Sequence, residues 1–232
     1  MAAFVSSAPP LLKSASRVQT WVLIMDSKYF HAPNRRKGTY MIKETKFLIL
    51  SCLTILASAV QAGPFGFEMG NKPSNYQCSE MAEANMYRCA SAPKGHPDFE
   101  AYVLQATSVH GICWIKAVGK NISDNGYGTS TKRQVDGFVD AIKRSYGEDV
   151  EKTDFLLSSS IWNEPDEFLM GIVKRERIYT YHWKSTSDAS IGEIYLAAKA
   201  VRSDTGYTAL EYYGSDYEAC SKYSEDQVND VF

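Results

Sequence analysis

The sequence predicts an α+β fold, in which an antiparallel sheet of about five to six strands has helices packed on one face. Three observations lead to this prediction. Segment 129–146 carries one apolar stripe at helical spacing, two β-rich runs within 99–120 flank a glycine-containing turn, and further alternating strands follow within 173–213. Strands thus come in groups that helices close, which is typical of an antiparallel sheet.

The strands are predicted from short runs of β-branched and aromatic residues that glycine, proline or polar turns bound. Two pairs of runs flank the turns 108–111 and 204–206, so each pair is expected to form a hairpin. Segment 63–70 alternates aromatic and small residues, which suggests a short opening strand. The other predicted strands are 86–92, 99–107, 111–120, 173–184, 193–202 and 207–213.

Helices are predicted in four segments. The most distinct is 129–146, in which Lys143 opposes the negative end of the helix dipole and Gly147 provides a stop. Its apolar stripe consists of Val135, Phe138, Val139, Ile142 and Tyr146. A short helix around 164–169 is expected to begin at a capping Asn163. The remaining helices are predicted at 74–84, after a capping Ser74, and at 216–231.

Segment 41–62 has the pattern of a bacterial secretory signal peptide. Two lysines precede an apolar run at 47–60, which is too short to span a bilayer comfortably, and small residues stand before a cleavage point between Ala62 and Gly63. Residues 1–40 are interpreted as a non-native or disordered extension, because the translation start is expected at Met41; a genuine, unusually long leader is the alternative. Residues 63–232 are expected to form a single α+β domain.

The charge of the expected mature chain is acidic. Eight of the 25 Lys and Arg residues and two of the 27 Asp and Glu residues precede Gly63, so 17 basic and 25 acidic residues remain, a net charge of −8. Such a surface repels nucleic acid and anionic membranes. We therefore expect a periplasmic or secreted protein that binds no nucleic acid and keeps no stable membrane anchor after cleavage.

Four cysteines follow the expected cleavage point, and an even number in an oxidising compartment suggests disulfides. Cys78 and Cys89 are the preferred pair, because the short connection between them is easy to close. Cys113 lies in an apolar strand, where a buried free thiol is the expectation. The fourth is Cys220, and three pairings remain open.

The sequence contains no recognisable catalytic motif, and no cofactor or metal site is predicted. The chain has no Gly-x-Ser-x-Gly motif. Cys113 could pair with His110 or His182 as nucleophile and base, but no sequence motif indicates such a pair. The acidic cluster Glu164, Asp166 and Glu167 supplies weak candidates for acid–base work on a glycan. Its alternative role is to start a helix, with Trp162 packed into the core.

Segment 126–132 superficially resembles a phosphate loop, but its spacing differs from a Walker loop and a glycine turn before a helix explains it. His96 and His110 are expected in turns about 30 Å apart, at the base and the tip of the first hairpin. Metal binding by this pair is therefore not expected.

Aromatic residues are the best candidates for binding. Thirteen tyrosines follow Gly63, and tyrosine and tryptophan are enriched where proteins bind proteins or sugars. The candidate binding residues are Tyr179, Tyr181, Trp183 and Trp162. They form a binding surface if helices leave their sheet face open, and they belong to the core if helices cover it.

The expected mature start, Gly63-Pro64-Phe65-Gly66-Phe67-Glu68-Met69-Gly70, resembles the opening of a group of small exported proteins of Gram-negative bacteria with no assigned function. Further landmarks of that group are similar to segments 126–128, 145–147, 161–165 and 210–213. The resemblance is scattered over most of the mature chain, and it implies no particular chemistry.

These observations together predict an exported, noncatalytic binding or interaction protein with a protein partner in the cell envelope. An envelope-assembly factor and an inhibitor or immunity factor both fit this description. The alternative is a small periplasmic hydrolase that acts on cell-wall glycan or peptide. The alternative predicts a cleft in which two of its candidate groups meet, whereas the first prediction requires an exposed aromatic patch.

Overall fold

The fold is described from a computed structural model, which describes residues 63–229. The predicted extension, the predicted signal peptide and residues 230–232 lie outside these residues, as does Ala62 at the expected cleavage point. Among the described residues, nine strands form one antiparallel sheet in the order β1-β2-β3-β4-β9-β8-β7-β6, with β5 paired to β9. The α+β class is therefore confirmed, but the expected five to six strands were too few.

The strands are β1 (Cys78–Glu80), β2 (Met86–Cys89), β3 (Phe99–Thr107), β4 (Gly111–Gly119), β5 (Ile122–Ser123), β6 (Glu151–Leu156), β7 (Arg177–Trp183), β8 (Ile191–Arg202) and β9 (Thr205–Gly214). Both predicted hairpins are present, as β3–β4 and β8–β9. The helices are α1 (Thr129–Tyr146), α2 (Phe168–Val173) and α3 (Tyr217–Asn229). Helix α1 has the predicted bounds.

The hydrophobic core lies between one face of the sheet and helices α1 and α2. Val135 and Ile142 of α1 and Leu169 of α2 join the same buried cluster as Leu196 of β8 and Leu210 of β9. Because side chains alternate along a strand, the intervening residues point to the opposite face. Helix α3 lies elsewhere, packing against β3 and β4. The two faces of the sheet therefore have different surroundings.

Helix α1 begins at a glycine for a steric reason. Gly128 precedes the helix with a φ of +66°, and a Cβ atom there would overlap the ring of Phe168. Glycine is the residue that tolerates both constraints. At the other end, Gly147 donates its backbone N–H to the Lys143 carbonyl, as the predicted stop requires.

Two local predictions near the start of the domain were wrong. Segment 74–84 is not a helix, because a short 3-10 turn at Pro73–Asn75 is followed by β1, which pairs with β2. Segment 63–70 is not a strand, because Pro64–Gly66 forms a 3-10 turn. Pairing with β2, the next strand along the chain, and the disulfide to it override the local helix preference of the first segment.

Further along the chain, strand β6 was not predicted, because its alternation of charged residues carries little apolar signal. The strand predicted from residue 173 begins at Arg177, since α2 continues through Val173 and the chain turns at Arg175 with a φ of +61°.

The cysteines form two disulfides, so the expectation of a disulfide is confirmed. Cys78 and Cys89 are bonded as predicted, and they are opposite residues of β1 and β2. Cys113 is not a free thiol, because it is bonded to Cys220 of α3. A register shift in the β3–β4 pairing lies beside Cys113, and α3 runs back across the ends of these strands. Only the tertiary fold therefore reveals this second pair.

Candidate functional site

The acidic cluster of the hydrolase alternative has a local structural role. Glu164 caps the 3-10 turn Pro165–Glu167, and its backbone N–H donates to Oε2 of Glu167 over 3.2 Å, so the two side chains form a capping box. The Asp166 side chain is exposed, and its backbone carbonyl lies against Gly126. Capping occupies two of the three proposed acid–base groups.

The predicted aromatic binding residues fall mainly on the helix-covered face. Tyr179 is 4% exposed, and Trp183 is fully buried and donates its Nε1–H to the Gly147 carbonyl over 3.0 Å. Tyr181 is half-buried. Trp162 is also half-buried, with the Lys174 ammonium 5.9 Å from its ring centre. For Tyr179 and Trp183, this placement corresponds to the core alternative.

Tyr179 and Tyr181 join a polar cluster that links the sheet edge to α1. Lys152 of β6 donates to the Tyr179 hydroxyl over 2.8 Å. Both tyrosine hydroxyls donate to Oδ1 of Asp136 on α1, over 2.7 and 2.8 Å. Burial raises the pKa of Tyr179, and its hydrogen bond to Asp136 acts in the same direction. The cluster ties β6, β7 and α1 together.

The start of α1 is closed by a carboxylate. Asp124 accepts hydrogen bonds from the backbone N–H groups of Ser130 and Thr131, over 3.1 and 2.7 Å, and from the Thr131 hydroxyl over 2.8 Å. Burial raises the pKa of Asp124, but these hydrogen bonds outweigh burial and lower the pKa below its ordinary value. The helix N-terminus that resembled a phosphate loop already holds an anion.

The histidines lie in three different surroundings. His96 packs against the ring of Phe138, at a centroid distance of 5.3 Å. His110 lies 3.2 Å from the Asp216 carboxylate. His182 lies 3.0 Å from the Glu193 carboxylate. Among residues 63–229, no group of three His, Cys, Asp or Glu side chains is arranged to hold a metal ion.

Cys113 cannot act as a nucleophile beside any of these histidines while it is bonded to Cys220, because a disulfide sulfur carries no thiolate.

The sheet face opposite α1 and α2 carries a different set of side chains. We call it the open face, because within the described residues α1 and α2 pack on the other side and α3 reaches only its margin. Four rings form a continuous row across four neighbouring strands of this face. This aromatic row consists of Trp114 on β4, Tyr213 on β9, Tyr195 on β8 and His182 on β7.

Ring contacts connect the aromatic row. The centroids of Trp114 and Tyr213 are 6.3 Å apart, and those of Tyr213 and Tyr195 are 5.4 Å apart. His182 stacks on Tyr195 with a centroid distance of 3.9 Å and an interplanar angle of 15°. At the margin, Tyr217 of α3 meets Tyr213 edge to face at 4.8 Å. The rings of the row therefore hold one another in place.

Charged groups alternate with the rings on the open face. Lys116 and Glu211 are opposite residues of β4 and β9, and they form an ion pair of 3.0 Å. Glu211 also accepts a hydrogen bond from the Tyr213 hydroxyl over 3.0 Å. Burial raises the pKa of Tyr195 to about 12, and the neighbouring Glu193 adds to this effect. The hydroxyls of Tyr195 and Tyr213 therefore remain protonated hydrogen-bond donors at neutral pH.

The aromatic binding candidates predicted from the sequence include no member of the aromatic row. The signal was nevertheless present, because the two faces differ in composition. On the open face an aromatic residue stands two positions from a charged one, as in Trp114 and Lys116, Glu193 and Tyr195, or Glu211 and Tyr213. The alternate positions of the same strands are mostly aliphatic. Aromatic side chains of this kind are enriched at protein interfaces.

Two clefts lie away from the open face. One of about 250 Å³ is bordered by the start of the domain, at Gly63–Phe65, and by α1 residues that include Phe138 and Tyr146. The other, of about 410 Å³, lies between the β1–β2 turn and the end of α3 and has polar walls that include Lys72 and Gln227. The acidic cluster is not among the residues that line either cleft.

Comparison with protein-family models, with curated proteins and with solved structures found no match to this chain. The resemblance of the opening segment to small exported proteins therefore stays a prediction. Two disulfides fit an oxidising compartment outside the cytoplasm. No helix among the described residues combines the length and apolar character needed to cross a membrane.

Proposed function

We propose that this protein is an exported, noncatalytic binding protein that recognises a protein of the cell envelope through its open face. The observation that carries the proposal is the aromatic row, a line of half-buried rings flanked by ion-paired charges on a sheet face that α1 and α2 do not cover. Envelope assembly and inhibition or immunity are the two roles that such a protein would serve.

The composition of the open face supports a protein partner. Tyrosine and tryptophan are enriched among the residues that dominate protein–protein binding energy, since they bury a large area and retain a polar end. Lys116 and Glu211 neutralise each other, so the face presents hydrogen-bonding groups without a strong field of one sign. A polyanion would instead be expected to meet a basic stripe.

The structural roles of the catalytic candidates also favour binding over hydrolysis. Glu164 and Glu167 are engaged in capping a turn, and Cys113 is engaged in a disulfide. A hydrolase would need two reactive groups within hydrogen-bond reach in a cleft. Neither of the two clefts described above is lined by these candidates.

The proposal is tested by affinity capture from periplasmic extract with the full chain expressed in a Gram-negative host and purified after export. We expect one stoichiometric protein partner. Tyr195→Ala and Trp114→Ala should each weaken the binding of that partner by about tenfold or more, which corresponds to about 1.4 kcal/mol. Thermal unfolding of each variant confirms that it remains folded.

The matched control is Tyr127→Ala, which removes a tyrosine that is 50% exposed in the loop before α1. We expect this variant to retain the partner at the wild-type level. Retention of the same partner by Tyr195→Ala and Trp114→Ala would refute the open face as the binding surface. Recovery of no stoichiometric partner would contradict the binding function and would favour the hydrolase alternative.

A further inference from the structure

The sheet ends at an edge strand that keeps a pairing side open. Strand β6 is the last strand in the sheet order, and within the described residues it pairs only with β7. An edge strand presents outward N–H and C=O groups that can bind another strand. The opposite edge, β1, has only three residues and is bonded to β2 through the Cys78–Cys89 disulfide. The six-residue β6 is therefore the longer edge available for pairing.

Large apolar side chains are exposed next to this edge. Phe155 of β6 and Ile178 of β7 are opposite residues on the open face, and they are 48% and 49% exposed. Leu157, directly after β6, is 43% exposed. Three large apolar side chains grouped at one corner of a sheet are typical of a surface that another chain covers.

One register of two β6 strands brings opposite charges together. Two copies related by a two-fold axis must place residues of the same face opposite each other, so the axis passes through one residue. With the axis at Thr153, Lys152 of each copy lies opposite Asp154 of the other. With the axis at Lys152 or at Asp154, like charges would lie opposite each other, which destabilises a strand pair. With the axis at Phe155, Asp154 would lie opposite the apolar Leu156 and no ion pair would form. The Thr153 register also places a charge, Glu151, opposite the apolar Phe155, but it alone adds two Lys–Asp pairs.

The Thr153 register also extends ion pairs that each copy already makes. Lys152 lies 3.8 Å from the Asp136 carboxylate, and Asp154 accepts from the Arg177 guanidinium over 2.9 Å. Pairing Lys152 with Asp154 of the second copy would join these pairs into a line of alternating charge. Such a line occurs twice in a two-fold symmetric dimer.

We propose that two copies of this chain form a dimer by antiparallel pairing of their β6 strands about Thr153, so that one sheet runs through both copies. The pairing uses an edge of the sheet and leaves the aromatic row available, so it is independent of the proposed binding function. Pairing of six residues per copy buries little surface area, so we expect a weak dimer with a micromolar dissociation constant.

The first measurement is the molar mass of the purified exported protein by sedimentation velocity across the micromolar range. We expect mass to rise from monomer to dimer with concentration. Asp154→Lys should raise the dissociation constant by about tenfold or more, because it places two lysines opposite each other at both contacts. The double variant Lys152→Asp with Asp154→Lys keeps the contacts between copies complementary but opposes Asp136 and Arg177 within each copy, so it should recover only part of the dimer. Circular dichroism shows whether each variant is folded.

The register is tested by cysteine crosslinking, which does not depend on the charge variants. Opposite residues of an antiparallel pair have Cα atoms about 4.5–5.5 Å apart, within the range that a disulfide spans. Thr153→Cys should therefore give a covalent dimer under mild oxidation, whereas Phe155→Cys and the exposed control Tyr127→Cys should give little. A monomer at every concentration would overturn the proposal. Preferential crosslinking of Phe155→Cys, or a β6 edge occupied by a different protein, would also overturn it.

Discussion

Removal of the Cys113–Cys220 disulfide tests how α3 is held on the domain. Helix α3 contributes few apolar contacts, because its buried side chains with described surroundings include only Cys220 and Ser224. Its other contacts lie at the surface and include the edge-to-face contact of Tyr217 with Tyr213 and the 2.9 Å hydrogen bond from the Asn85 amide to Ser224. We therefore expect the disulfide to supply most of the free energy that keeps α3 attached.

The magnitude follows from the lengths of the two disulfide loops. Cys113 and Cys220 are separated by 107 positions, and Cys78 and Cys89 by 11. The loop-entropy relation then assigns about 4.8 kcal/mol to the first bond and about 2.8 kcal/mol to the second. Replacing both cysteines of a pair by alanine should thus cost about 2 kcal/mol more for Cys113 and Cys220 than for Cys78 and Cys89.

The assay is equilibrium unfolding in urea of the wild-type protein and the two double-alanine variants. Amide hydrogen exchange on residues 217–229 reports whether α3 opens locally in the Cys113→Ala, Cys220→Ala variant, and we expect protection there to fall while α1 stays protected. If the Cys78→Ala, Cys89→Ala variant lost as much stability or more, the loop-entropy reasoning would be refuted.

Three further predictions concern stability. Asp124→Ala should destabilise the domain by about 1–2 kcal/mol, because it removes the acceptor at the start of α1. Because folding lowers the pKa of Asp124, the stability that its carboxylate adds is complete above the unfolded pKa of about 4 and is lost as the pH falls through the folded pKa. The melting temperatures of Asp124→Ala and of the wild type should therefore converge in acid. Gly128→Ala should destabilise the domain by about 1–3 kcal/mol, because φ is +66° and the added Cβ meets Phe168. Gly137→Ala, which has open space around it in α1, should instead stabilise the domain by about 0.5–1 kcal/mol. Chemical denaturation of both variants measures the contrast, and equal effects would contradict it. Tyr179→Phe should cost about 1–2 kcal/mol, because the hydroxyl joins Lys152 to Asp136, while the exposed control Tyr127→Phe should leave the melting temperature unchanged.

Local patterns in the sequence account for the elements that were predicted correctly. Helix α1 needs only its own apolar stripe and its terminal glycines, and the β3–β4 hairpin needs only two β-rich runs around a short turn. In both cases the residues that determine the structure lie within one element or in adjacent ones. Periodicity in a single sequence reports this kind of information.

Most of the incorrect predictions depend on residues outside the element itself. Strand β1 pairs with the adjacent β2, which in turn pairs with β3, and β6 exists because the more distant β7 lies beside it, although neither β1 nor β6 has a strong strand signal. The bond from Cys113 to Cys220 depends on where α3 returns to the sheet. Propensity within a short window contains no term for a partner that is far away in the chain.

The division between sequence and structure is clearest at the sheet. Local residue patterns are enough to predict the α+β class, the position of α1, two hairpins and the tyrosines considered for a binding surface. The packed fold is needed to see that α1 and α2 cover the face of Tyr179 and Trp183 and leave the face of Tyr195 and Tyr213 open. The physical reason is that side-chain alternation defines two faces, whereas the packing of helices along the whole chain selects which one is buried.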